Sequence, residues 1–96
     1  MIEDIELRSL FRIESEEHLR ILEEGLLHLE SSPTDSKTLQ EVFRGAHSLK
    51  GSAAMLGLQN IERLAHGLED VLNAARQGKA VLSSEAIDQL LSLIHI

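Results

Sequence analysis

The sequence has no cysteine, no tryptophan and no tyrosine, and its only aromatic residues are Phe11 and Phe43. Without cysteine there can be no disulfide and no thiolate metal site, and the redox compartment stays open. Two phenylalanines make no platform on which nucleotide bases could stack. Cations are also scarce: 9 Lys and Arg stand against 16 Asp and Glu, for a net charge of −7. Such a surface would repel nucleic-acid phosphates; it suits a protein partner with a basic or mixed face. No apolar run approaches the length of a bilayer span. The first residues, Met1-Ile2-Glu3-Asp4-Ile5-Glu6, are acidic where a secretory signal would be basic. A cytoplasmic protein that engages neither nucleic acid nor membrane is the simplest expectation.

A length of 96 residues suits one small domain with a modest core and a thin stability margin. No segment alternates apolar and polar residues with the period of an amphipathic strand, and there is no internal repeat. The apolar residues recur instead at steps of three and four. From Ile2 to Leu29 a first helix is expected, with Leu19, Leu22, Leu26 and Leu29 on one face and an irregular start that leaves room for a break. Pro33, among Ser31-Ser32-Pro33-Thr34-Asp35, marks a turn. A second helix runs from Ser36 to Leu56, with Leu39, Val42, Phe43, Ala46, Leu49, Ala53 and Leu56 on one side. Its N-cap is open between Asp35, Ser36 and a capping box made by Thr38 and Glu41, and Gly57 is its C-cap. The third, Gln59 to Gln77, carries Ile61, Leu64, Ala65, Leu68, Val71, Leu72 and Ala75 and closes at Gly78. The fourth starts at Ser83 with Glu85 in its first turn, and its apolar positions are Ile87, Leu90, Leu91 and Ile94. The apolar pattern runs on to Ile96 with neither cap nor polar tail, as expected of a fragment cut from a longer chain. Four amphipathic helices with short turns predict an all-α, antiparallel up-and-down four-helix bundle, its last helix truncated.

Chemistry concentrates in Ala46-His47-Ser48-Leu49-Lys50-Gly51-Ser52-Ala53. On a helical wheel His47 falls off the centre of its apolar stripe and should be partly exposed. Lys50 and Gly51 follow at i+3 and i+4, on adjoining surface. Glycine inside a helix costs about 1 kcal/mol relative to alanine. Side chains lean toward the helix N-terminus, so a residue at position 51 would lie over His47, and glycine there leaves the imidazole open. Lys50 supplies a cation that could attract a phosphoryl group. Each feature alone has a plainer explanation: a flank histidine as surface polarity, a glycine for close helix packing, a lysine as a solvated charge. Together they describe a nucleophile that meets a phosphate.

The stretch His47-Ser48-Leu49-Lys50-Gly51-Ser52-Ala53, with Phe43-Arg44-Gly45-Ala46 before it and Met55-Leu56-Gly57-Leu58 after it, resembles the phosphorylation motif of histidine phosphotransfer domains. The likeness extends to Glu17-His18-Leu19, Leu22-Glu23-Glu24-Gly25-Leu26 and Leu64-Ala65-His66-Gly67-Leu68-Glu69-Asp70, and is strongest to the N-terminal domain of chemotaxis-type sensor histidine kinases. The resemblance implies that residues 1–96 form one phosphotransfer domain, a piece of a larger kinase. His47 would accept a phosphoryl group from an ATP-binding kinase domain and give it to an aspartate of a response-regulator receiver, which brings its own magnesium site. His66 and Glu69 match positions that, in those domains, join the phosphorylated histidine in a hydrogen-bonded group. Carried over, Glu69 would accept from one ring nitrogen of His47 and make the other the better nucleophile; which nitrogen is which, spacing does not reveal. The chain departs from the pattern in lacking the longer fourth and additional fifth helix.

No catalysis by the domain alone and no cofactor of its own are expected, because it has neither a Walker-type phosphate loop nor a kinase glycine-rich box. Two other readings compete. A metal-binding bundle could draw on His18, His28, His47, His66 and His95, but none has the glutamate three residues earlier that di-iron bundles use; His47, His66 and Glu69 could form a three-ligand zinc site. A helical interaction module could use the seam of Leu19, Leu22, Leu26 and Leu29, which covers too few heptads for a convincing coiled coil.

Overall fold

The structure, a computed structural model, describes the backbone of residues 4–94. Its elements follow the apolar spacing: α1 (Asp4–Ser31), α2 (Ser36–Met55), α3 (Gln59–Arg76) and α4 (Ser84–Ile94). They form an antiparallel bundle in which α2 packs against α3 and α1, and α4 packs against α1. No described helix is long and apolar enough to cross a membrane. The expected start of the first helix at Ile2 lies outside the described residues, as do His95 and Ile96. From Asp4 onward α1 is continuous, without the break its irregular start left room for.

One apolar cluster holds the bundle together. Leu22, Leu26 and Leu29 of α1 meet Leu39, Val42, Ala46 and Leu49 of α2, Ala65, Leu68, Leu72 and Ala75 of α3, and Leu82 and Ile87 near α4. Fully burying a leucine is worth about 1.5–3 kcal/mol, so this cluster is the main source of stability. Helices α1 and α2 pack tightly at Gly25, where an added Cβ would run into Val42 Cγ1.

Both glycine stops work as expected. Gly57 (φ 71°) and Gly78 (φ 74°) take the left-handed conformation. After α2, Leu58 N–H donates to the Ala53 carbonyl at 2.9 Å and Gly57 N–H to Ala54 at 3.2 Å. The turn after α3 repeats the pair, with Lys79 donating to Ala74 at 2.9 Å and Gly78 to Ala75 at 3.1 Å. These are Schellman turns, which satisfy carbonyls that a helix end would leave bare. At the start of α2 the cap is Asp35. Its carboxylate accepts from the Thr38 hydroxyl at 2.9 Å and pairs with His28 Nε2 at 2.8 Å, so Thr38 serves the turn rather than a capping box. Helix α4 is capped by Ser83 Oγ, which accepts from Ala86 N–H at 3.0 Å.

Three residues of the expected α3 stripe are not fully buried: Ile61 is 36% exposed, Val71 41%, and Leu64 is half-buried. Helix α2 covers the face of α3 that carries Leu68 and Leu72. Val71 lies to one side of that face, whereas Ile61 shares it but sits in the first turn of α3.

Candidate functional site

Helices α2 and α3 run antiparallel, which carries their flanking side chains into one seam. His47 lies on the outer edge of α2, with its side chain 65% exposed. Its Nδ1 is hydrogen-bonded to Oε2 of Glu69 from α3. The other carboxylate oxygen, Oε1, accepts from Lys50 Nζ at 2.5 Å. Glu69 is therefore gripped by two α2 side chains one turn apart, and only 12% of it remains exposed.

The Lys50 ammonium, ahead of the hydrogen bond from His47, holds Glu69 below its ordinary value of 4.5, against the opposing effect of its burial. At neutral pH Glu69 is thus a carboxylate, which can only accept hydrogen bonds. The hydrogen in the His47–Glu69 contact must then sit on Nδ1. In the neutral imidazole that leaves the lone pair on Nε2, the nitrogen that Glu69 does not engage. Lys50, expected as a cation near His47, is found one turn along α2 with its charge paired with Glu69.

Gly51 is exposed on the turn after His47, and a Cβ built there would meet nothing within 4 Å. Packing therefore places no demand for glycine at this position. The contrast with Gly25, whose missing side chain makes room for Val42, separates the two uses of helical glycine in this chain.

His66 is brought elsewhere. It is 58% exposed and pairs with Asp70, one turn on along α3, with Nε2 at 3.4 Å from Oδ2. Glu69 points into the seam with α2 while His66 stands on the outer surface, so the two do not form one group around His47. The three donors of the zinc reading accordingly do not converge. Among the described residues no three His, Asp or Glu side chains are grouped to hold a metal.

Sequence reasoning missed the ring beside His47 and the cation that covers that ring. The Phe43 ring lies near the imidazole, with ring centroids 6.4 Å apart and planes 21° from parallel. The Arg76 guanidinium carbon stands 4.5 Å from the centre of the Phe43 ring. Phe43 is four residues before His47, a spacing that does signal surface contact on a helix. Arg76 had no such signal, because its place depends on the register of α3 against α2.

The Hpt domain family matches residues 6–95 of this chain. The chain belongs to the Hpt domain family. Its Hpt fold is also that of a solved structure, the CheA phosphotransferase domain from Thermotoga maritima, with a TM-score of 0.84 and 30% identity over 98% of this chain and 96% of that one. Similar sequences include the chemotaxis protein CheA of Borreliella burgdorferi, 39% identical over 99% of this chain and 11% of the relative. CheA of Bacillus subtilis is 43% identical over 84% of this chain and 12% of the relative. The sensor histidine kinase CheAY of Helicobacter pylori is 37% identical over 95% of this chain and 11% of the relative. This Hpt domain thus spans about a ninth of the length of such relatives. As an Hpt domain of the CheA type, it is a phosphotransfer carrier of two-component signalling.

Proposed function

We propose that His47 is the residue that carries the phosphoryl group, that Nε2 is the atom that bears it, and that this domain is the phosphotransfer part of a longer chemotaxis-type kinase acting in the cytoplasm. The observation behind this reading is the arrangement at the α2–α3 seam. An exposed imidazole has one nitrogen held by a largely covered, ion-paired carboxylate, and an unpacked glycine follows one turn later.

The chemistry needs little else from the domain. With Nδ1 protonated, the Nε2 lone pair attacks the γ-phosphorus of ATP held by a kinase domain. A nitrogen–phosphorus bond forms as the bond to the β–γ bridging oxygen breaks, and ADP leaves. The ring keeps its Nδ1 hydrogen and becomes cationic, and the facing Glu69 carboxylate stabilises that charge. Lys50 keeps Glu69 ionised for this purpose. In the second step an aspartate oxygen of a response-regulator receiver attacks phosphorus. The nitrogen–phosphorus bond breaks and the imidazole returns to its neutral state. The exposed ring and bare Gly51 give both partners access. His66, paired with Asp70, stands apart from this exchange.

The relay is tested by isolating the labelled phospho-domain and mixing it with a receiver domain and magnesium. Label should leave the domain and appear on the receiver as an acyl phosphate. A phospho-domain that keeps its label in the presence of receivers of its own organism would remove the carrier role proposed for His47 and leave an interaction module.

A further inference from the structure

The contact that holds His47 is repeated two helical turns along the same seam. Glu69 of α3 reaches between His47 and Lys50 of α2. Seven residues later on α3, Arg76 reaches between Gln40 and Phe43, each seven residues earlier on α2. Antiparallel packing makes the two sets equivalent in register. At the second position, Arg76 donates to Gln40 Oε1 at 3.3 Å and to Asn73 Oδ1 at 2.6 Å, and its guanidinium carbon is 4.5 Å from the Phe43 ring centre. Phe43 is also the ring beside His47, at 6.4 Å between centroids. The two sets are therefore linked through Phe43.

We propose that Arg76 is a positioning residue for His47, acting through Phe43. A largely exposed imidazole tied at Nδ1 alone can still pivot about that hydrogen bond. A second surface beside the ring restricts the pivot, and Phe43 supplies it at a separation in the range of aromatic pairs. Phe43 can do so only if its own ring is held. A cation over its face, anchored by two hydrogen bonds, holds it from the neighbouring helix. Arg76 thereby narrows the orientations in which Nε2 meets phosphorus, and small errors of orientation are costly in transfer reactions.

The inference rests on His47 being the phosphoacceptor, and its test separates the two ideas. The 96-residue chain and the variants Arg76→Gln, Arg76→Lys, Phe43→Leu and Phe43→Leu/Arg76→Gln are compared as substrates of a chemotaxis-type kinase. The ring-current shifts of the His47 imidazole protons are followed by NMR. Arg76→Gln should lower kcat about fivefold, the scale of one lost cation–π contact, with KM unchanged and with the ring-current shifts reduced. Arg76→Lys should recover most of both. In the Phe43→Leu background, Arg76→Gln should add no further loss of kcat, because its effect passes through the missing ring. A change in KM alone, additive losses in the double variant, or wild-type kcat and ring shifts in Arg76→Gln would each overturn the role of Arg76. If the wild type itself takes no label, the phosphoacceptor reading fails first; the NMR shifts still report whether Arg76 orders the ring.

Discussion

At the scale of single residues, the site is an imidazole whose two nitrogens have been made different. Glu69 does this by accepting from Nδ1, and Lys50 keeps Glu69 charged. Glu69→Gln removes the charge opposite the developing imidazolium and can present an N–H where Nδ1 needs an acceptor. Transfer to His47 should fall on the order of ten- to a hundredfold, the range seen when a carboxylate that orients a metal-bound histidine is removed. Phosphorylation kinetics of the variant check this. The same pair predicts a pH effect on stability. The folded-state value of Glu69 is depressed below 4.5, so the folded state binds fewer protons than the unfolded chain. The contribution is complete above 4.5 and is lost as pH falls through the lower, folded value. Glu17 and Asp35 are depressed as well, by Arg20 and by Thr38 with His28 respectively, so the comparison is between curves. Glu69→Gln should lose less stability on acidification than the wild type, as denaturant midpoints below pH 5 would show. Gly51 gives the third residue-scale expectation. With nothing near its missing Cβ, Gly51→Leu should gain about 1 kcal/mol of stability from helix propensity, a rise of about 4–8 °C in Tm. The same leucine would lean over His47, and transfer should fall by about tenfold, equivalent to about 1.4 kcal/mol of barrier. Calorimetry and a transfer assay on one variant test both halves.

His47, Lys50 and Gly51 could be read from the chain because they are neighbours on one helix, where spacing alone fixes which surface they share. The tautomer could not. It depends on whether the Glu69 contact is made by Nδ1 or Nε2, and that follows from how far α3 stands from α2. The pairing of Lys50 with Glu69 was hidden for a related reason: it needs the reach of the lysine across the seam, which its own helix does not reveal.

At the scale of elements, the apolar spacing of three and four predicted the helices, and glycine set two of their ends, because Gly57 and Gly78 alone could adopt the left-handed turn at no steric cost. Burial on α3 was less legible. Ile61 and Val71 fit the period of the buried stripe, but a period says which residues share a face and not whether a neighbour covers it. The register of α2 against α3 was also hidden, and with it the contact of Arg76 with Phe43. The close approach of α1 and α2 gives the prediction for this scale. Gly25→Ala drives a methyl into Val42 and should cost about 1–3 kcal/mol, although alanine is the better helix former. Adding Val42→Ala should return part of that loss, a coupling that a double-mutant cycle by urea denaturation would measure. Equal and additive losses would mean that the two helices can move apart freely.

At the scale of the whole molecule, the bundle is a rigid mount for one exposed ring. The core cluster fixes α2 against α3, and that register alone brings Glu69 to His47. The acidic surface, with a net charge of −7, suits protein partners of complementary charge, in keeping with the proposed exchange, first with a kinase domain and then with a receiver. The assignment of His47 as the residue that takes the phosphoryl group carries all the rest. Its most direct test is incubation of the wild type and His47→Gln with labelled ATP and the catalytic part of a chemotaxis-type kinase, followed by acid and base treatment of the product. The wild type should carry label that is lost in acid and retained in base, and His47→Gln should carry none. Equal labelling of the two proteins, or no label on the wild type with a kinase that phosphorylates its own Hpt domain, would contradict it.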